Sequence, residues 1–476
     1  MGNRLLALIV ASAFFFMGPP AGAQQAPAPA GPPPAPDLGP IPTVPPVPTL
    51  GPRPLSLADA VTTGLQNNFQ IRQAALGVAN ARAQLREAEA AKAVTLGGSA
   101  SFTDSSLCCT SAPLSGSISI PGAGISSQPF TATGLGGTSA TNWVFGLTLK
   151  YPLYTGGALE DQIAIARANV ALAQAQFTTA AQQVVLSVRQ GYYAVQAAFA
   201  NVDAAQRAVS AAQENVRVTQ ARVQVGSSPQ FDLLQAQVQL AQSAQTLTQA
   251  RTVLSQDQQT LAATLVAPLS STFQPAAFPG LPQVPQDVSA LVQQALQNRP
   301  EIVAARASEV AAQAAIDLAA SGLRPNISIQ AGPQIQTSDP TGKNTVDFTG
   351  SIVLTIAILD GGLTRAKVDA ARAQLETAKV SEEQTRQQVE LDVRNAYLSL
   401  GNAAEVLRSA QTAQASAREA LRIANVRFQA GVGTQLEVVT AEQNLATADS
   451  NVIQAAFQYF VAVAQLDRAI GVQVKI

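Results

Sequence analysis

The chain has 476 residues, with 29 Lys+Arg set against 30 Asp+Glu and no histidine. A balanced charge provides no field to attract nucleic acid, so none is expected as a partner. The missing histidine removes the commonest general base and metal ligand, and with them every Ser–His or Cys–His catalytic pair.

Residues 1–23 read as a signal peptide. Arg4 supplies the positive start, Leu5 to Met17 the apolar run, and Ala21-Gly22-Ala23 a small-residue cleavage site ending at Ala23. The run is too short for a lasting membrane helix. Residues 24–55 form a Pro/Ala/Gly-rich linker, a composition that favours extended polyproline conformations.

Beyond the linker the chain repeats itself. Gln66-Asn67-Asn68-Phe69-Gln70-Ile71 returns as Gln297-Asn298-Arg299-Pro300-Glu301-Ile302, 231 positions later. From Leu149 to Val266 a second match runs without a gap at an offset of 205, pairing Gly156-Gly157 with Gly361-Gly362 and Arg222 with Arg427. The change of offset places 26 extra residues in the first copy, between about Ser99 and Trp143, and these include the adjacent Cys108-Cys109. The copies are expected at 56–270 and 287–471, with a second linker at 271–286 and a tail at 472–476.

Each copy predicts helix, strand, strand, long helix, turn and helix. The opening helices, about 56–94 and 287–321, begin at Ser56 and Asp287, good N-caps, and break near Asn67 and Arg299. The long helices, about 157–225 and 362–430, would each extend roughly 100 Å at 1.5 Å per residue. Such length needs helix-on-helix support, and Val184, Val188, Val195 and Val202 form an apolar stripe of coiled-coil type. The strands, near 96–105, 142–153, 326–336 and 346–357, alternate apolar with polar residues. In the second of them Phe145, Leu147, Leu149 and Tyr151 oppose Val144, Gly146, Thr148 and Lys150. One apolar face on a strand of this length fits a transmembrane barrel.

Four strands cannot close a barrel, and open edges in lipid leave backbone groups unpaired at several kcal/mol each. The protomer must share its barrel with copies of itself. Three copies would supply twelve strands and a water-filled lumen, whereas two would give a barrel filled by its own side chains. The fold expected is therefore mixed and mainly α: a trimeric 12-stranded transmembrane β-barrel, four strands per protomer, continued by a long α-helical coiled-coil barrel, with internal duplication.

Several features together resemble the TolC-like outer membrane factors. They are the doubled unit, the Gly156-Gly157 and Asp360-Gly361-Gly362 corners, the Val-Arg-x-x-Tyr segments at Val188 and Val393, and the Arg427-Phe428-Gln429-Ala430-Gly431-Val432-Gly433-Thr434 turn. The resemblance covers about 56–471. It implies a homotrimer set in outer-membrane lipid, with its helical barrel in the periplasm, docked on a periplasmic adaptor and an inner-membrane transporter. The function implied is that of a passive exit duct for efflux, the alternative being the outer-membrane channel of type I protein secretion. No enzyme activity, cofactor or metal is expected.

At the hairpin tips, Asp232 and Glu437 match positions where the family often carries a carboxylate facing the periplasmic entrance, with Glu437 expected to weigh more. Gly226, Ser228, Pro229, Gly431, Gly433 and Thr434 would present the adaptor-facing surface, the three glycines supplying left-handed turns. Gly433 stands where some relatives carry a basic residue, which argues against an acid–base lock on the entrance. Tyr192 and Tyr397 are expected to be packing residues. The acid pairs Glu160-Asp161 and Glu382-Glu383 are expected on solvated faces.

Overall fold

The computed structural model describes residues 54–105, 140–275, 280, 287–337 and 345–472. The signal segment with Ala23, the linker up to Arg53 and Cys108-Cys109 lie outside the described residues. In chain order the elements are β1 (Pro54–Leu55), α1 (Leu57–Asn67), α2 (Phe69–Ala90), β2 (Thr95–Ser105), β3 (Ala140–Tyr154), α3 (Ala158–Gln224) and α4 (Gln230–Leu265). There follow β4 (Gln274–Pro275), α5 (Val288–Asn298), α6 (Pro300–Ala320), β5 (Asn326–Thr337), β6 (Thr345–Thr355), α7 (Leu363–Gln429) and α8 (Gln435–Ala469).

The expected helix boundaries agree with this order to within a few residues. Ser56 caps α1 by accepting from the Asp59 N–H, and Asp287 caps α5 by accepting from Ser289 and Ala290. The break between α1 and α2 falls at Asn68, whose side chain accepts from the Gln70 N–H. The matching break falls at Arg299, ahead of Pro300 at the first position of α6. The long helices α3 and α7 are each 67 residues.

Strand-to-helix corners need backbone that only glycine adopts cheaply. Gly156 and Gly157 have φ of 67° and 92°, and Gly361 and Gly362 have 62° and 87°. At the first corner a side chain would also collide, because a Cβ on Gly156 would lie 2.6 Å from the Arg324 Cβ. The Arg324 guanidinium donates to the Gly156 carbonyl at 2.8 Å and so ties the two copies together there. In the second corner Asp360 accepts from the N–H groups of Gly362 and Thr364.

The large sheet is antiparallel in the order β2-β3-β5-β6. The two hairpins are joined by β3 with β5, the second strand of one copy beside the first strand of the next. Register places Leu96, Leu149, Ala331 and Gly350 in one row and Tyr151, Ile329 and Ile352 in another. A further row holds Ala100, Phe145, Ile335 and Val346. Residues sharing a row share a face, so all of these lie on one apolar surface. The other face carries Ser99, Thr148, Lys150, Gln330, Gln334, Asp347 and Ser351. The strand expected to reach residue 357 ends at Thr355, short of the Asp360-Gly361-Gly362 corner.

Two features were not legible as elements in the sequence. One is the parallel ribbon of β1 with β4, pairing Leu55 with Pro275 across the chain. Tyr192 donates its hydroxyl to the Leu55 carbonyl at 3.0 Å, so this packing tyrosine also anchors the ribbon on α3. The other is the ion cluster at Arg299, which is 5% exposed and bonds both Glu301 and Asp392 at 2.9 Å. Burial acts to lower the Arg299 pKa, but the two carboxylates outweigh it and hold the guanidinium above its ordinary value.

The core sits midway along the long helices and toward the C-terminal ends of α4 and α8, where Val184, Val188 and Val195 of α3 meet Leu261 and Leu265 of α4 and Tyr459 and Phe460 of α8. Tyr193 stacks on Phe460 at 5.1 Å. Each such apolar side chain contributes about 1.5–3 kcal/mol by leaving water. Toward the sheet the helices lie side by side as α2, α3, α6 and α7, and toward the tips as α4, α3, α8 and α7. In both halves α3 is interior and α7 forms one end.

Candidate functional site

Two regions hold chemistry that a transport protein could use: the two-faced sheet and the turns joining α3 to α4 and α7 to α8. On the sheet, Leu96, Phe145, Leu147, Leu149, Tyr151, Phe348, Ile352 and Leu354 are all exposed. Water does not tolerate an apolar surface of this extent for nothing; such a patch marks a membrane or partner surface. Among the described residues no helix is long and apolar enough to cross a membrane.

At the tips the two copies diverge. In both, a glycine with positive φ turns the chain, Gly226 at 74° and Gly431 at 76°. Gly433 does not adopt a left-handed conformation, contrary to expectation. Its small size serves close approach instead, since a Cβ there would lie 3.0 Å from backbone atoms of Arg427 and Phe428. Thr434 caps α8 by accepting from the Glu437 N–H at 3.2 Å. Its counterpart Pro229 has no side chain to offer, and only its carbonyl receives the Asp232 N–H. Ser228 is half-buried beside it.

Arg427 reaches back over its own turn to Glu437, with Nε–Oε2 at 3.5 Å. The equivalent Arg222 takes another course. It stacks on the Phe428 ring, 4.0 Å from its centroid, and donates twice to the Phe428 carbonyl at 3.2 Å. Arg222 thereby latches the first hairpin to the second. Asp232 has no ion pair among the described residues, so its charge is less compensated than that of Glu437. The two tip acids thus differ in how far a neighbouring cation compensates them. Arg222 and Arg427 are equivalent in the repeat, and only Arg222 faces a ring it can stack on.

Behind the tips, a polar cluster missed in the sequence joins α3 to α8. Gln435 Nε2 donates to Asn215 Oδ1 at 2.7 Å, Asn215 Nδ2 donates to Glu442 at 3.4 Å, and the fully buried Thr219 donates to Asn215. Burial pushes the Glu442 carboxyl above its ordinary pKa, and the Asn215 amide only partly offsets this.

Of the other acids, Glu160 and Glu383 are exposed, whereas Asp161 and Glu382 are half-buried. Glu160 pairs with Lys92 at 2.8 Å, but Asp161 is half-buried at the Gly156-Gly157 corner. Burial and then the charge of Asp317 raise its pKa. Glu382 is bound by Arg386 and Arg306, whose hydrogen bonds and charge outweigh its desolvation and lower its pKa. Tyr397 is half-buried, as a packing residue would be. Among the described residues no acid, cysteine or histidine cluster could hold a metal.

An antiparallel sheet with one exposed apolar face, set on two helical hairpins whose long arms run about 100 Å, sets this chain apart from a globular domain. The outer membrane efflux protein family matches residues 61–266 and 291–472, and the chain belongs to that family. It is 30% identical over 188 residues to the outer membrane protein TolC of Vibrio cholerae, a stretch covering 38% of this chain and 43% of that relative. The matched stretch is thus less than half of the relative's length. Among solved structures, the channel protein CusC superposes with a TM-score of 0.72 at 23% identity, over 87% of this chain and 92% of that one. VceC, an outer membrane protein of Vibrio cholerae, gives 0.68 at 19% identity over 87% and 96%. These likenesses extend the shared fold across both copies.

Proposed function

We propose that the chain is one third of an outer-membrane exit duct, conducting solutes delivered by an inner-membrane pump through a periplasmic adaptor. One comparison carries this reading, and the duplication supplies its internal control. Helices α3 and α7 are equivalent and equally long, yet α3 buries 20 residues and α7 only 10. Leu186 and Tyr193 are buried on α3, while their counterparts Leu391 and Leu398 on α7 are exposed. The difference follows from position: α3 has neighbours on both sides, and α7 lies at the end of the row. What α8 covers on α3, the α4 helix of a second copy would cover on α7.

The sheet obeys the same rule. Within the chain the second strand of one copy pairs with the first strand of the next, β3 with β5, leaving β2 and β6 as free edges. Applied once more, the rule pairs β6 with β2 of a neighbouring chain. Head-to-tail contacts of this kind close into a ring. Three chains give twelve strands around an open lumen, with the apolar face toward lipid and the polar face inward. The unmatched edges in lipid would otherwise each strand a row of backbone groups.

In this assembly the tips lie far from the membrane, at the periplasmic entrance. Asp232 and Glu437 would lend that mouth a negative field, and the turns at Gly226, Ser228, Pro229, Gly431, Gly433 and Thr434 would meet the adaptor. Export would begin with removal of residues 1–23 after Ala23. The test is single-channel recording of the purified protein in planar bilayers, with fractionation of the cells. Stable open conductances and outer-membrane residence are expected. A protein that stays in the inner membrane, or never conducts, refutes the duct.

A further inference from the structure

The polar face of the sheet is nearly uncharged. On β2, β3, β5 and β6 the rows of that face hold mainly Ser, Thr, Gln, Gly and Asn, with Val144 and Val353 among them and charges only at Lys150 and Asp347 among the described residues. The two lie at different levels: Asp347 shares a row with Gln334 and Gly146, while Lys150 stands four residues along β3 toward the helices. That separation is about 13 Å at ~3.3 Å per residue.

Lys150 opens into a cavity of about 440 Å³, where the polar face meets the end of α2 and the start of α3. Its polar lining is Lys150 with Thr95, Thr155, Asn326, Ser328, Gln330 and Thr355, and it contains no carboxylate. The acid nearest in sequence to this corner, Glu160, is already tied to Lys92. Among the described residues Lys150 has no ion pair. An ammonium with hydroxyl and amide donors around it, and no acid, favours an anion. The counterpart of Lys150 in the second copy is Thr355, so the charge occurs once per chain.

We infer that Lys150 forms an anion-selecting subsite at the inner end of the barrel, repeated three times around the lumen, which takes chloride and solutes bearing carboxylate, sulfonate or phosphate groups. This inference rests on the duct reading, because only a closed barrel turns one lysine into a ring. The subsite would oppose the negative entrance: cations enriched at the tips meet a positive ring before leaving, and anions are favoured at that second level.

The experiment is the reversal potential of the full-length protein in planar bilayers under a potassium chloride gradient. Charges near 10 Å from a permeating ion in screened water change its local concentration modestly. On that basis Lys150→Gln should raise the potassium-to-chloride permeability ratio about twofold and Lys150→Glu about fourfold. Asp347→Asn should lower it. Unaltered reversal potentials in Lys150→Glu channels of normal conductance overturn the subsite. Absence of any conductance from the unsubstituted protein overturns the duct itself, which separates the two failures.

Discussion

Leucine 147 offers a sharp test of which sheet face meets lipid. It stands at the centre of β3, 47% exposed, between Phe145 and Leu149 on the apolar face. Arginine at the bilayer midplane of a barrel costs about 2–4 kcal/mol, falling to about 0–1 near the interfaces. Leu147→Arg should therefore cost about 3 kcal/mol per chain, roughly a 150-fold shift in the folded-to-unfolded ratio. Ile352 is more exposed, at 71%, but shares its row with Tyr151 and Ile329, nearer the helices. Its replacement by Arg should cost only about 1–2 kcal/mol. The opposite face provides the control, and Thr148→Arg and Ser351→Arg should each cost under about 1 kcal/mol. Denaturant unfolding from phosphatidylcholine vesicles can be followed through Trp143 on β3, the single tryptophan of the chain. Equal costs on the two faces, or a larger cost at Thr148, would refute the facing assignment.

Four further outcomes are expected. Arg299→Ala should destabilise by about 2 kcal/mol in urea unfolding, less than a fully buried pair would, because Glu301 and Asp392 keep partial access to water; Glu301→Gln with Asp392→Asn should recover part of the loss. Gly156→Ala should destabilise more than Gly361→Ala, because both carry positive φ but only the first places a Cβ against Arg324. Differential scanning calorimetry of the two variants reads the difference directly. At the entrance, Asp232→Asn should reduce cation preference more than Glu437→Gln, since Arg427 already compensates Glu437; bilayer recordings showing no change in the double substitution would leave these acids as helix-start charges. Glu442→Gln should slow hydrogen exchange of the tips at neutral pH. The folded-state pKa of Glu442 is raised, so the native state loses stability as pH climbs from the unfolded value through the folded one. The benefit of Gln should accordingly vanish as pH falls below the ordinary carboxylate range.

Much of the fold was legible because its signals are long and doubled. The 205-residue offset aligned α3 with α7 before any contact was known, and period-two alternation marked the strands around Leu147 and Ile352. What could not be read depends on partners distant in sequence. Nothing local distinguishes Arg299 as a buried ion-pair centre, since Asp392 lies 93 residues away. The ribbon at Leu55 is two residues long, too short for any periodicity, and is held by Tyr192 and Pro275. The tips show the same limit: Arg222 and Arg427 are equivalent in sequence, and only their surroundings send one to a neighbouring carbonyl and the other to Glu437.

Exposed Leu391 and Leu398, with the free edges of β2 and β6, call for completion by like chains in a ring of three. Native mass measurement of the detergent-purified protein tests it most directly. A dominant species of three chains that persists on dilution is expected. A dominant species of one or two chains would contradict it.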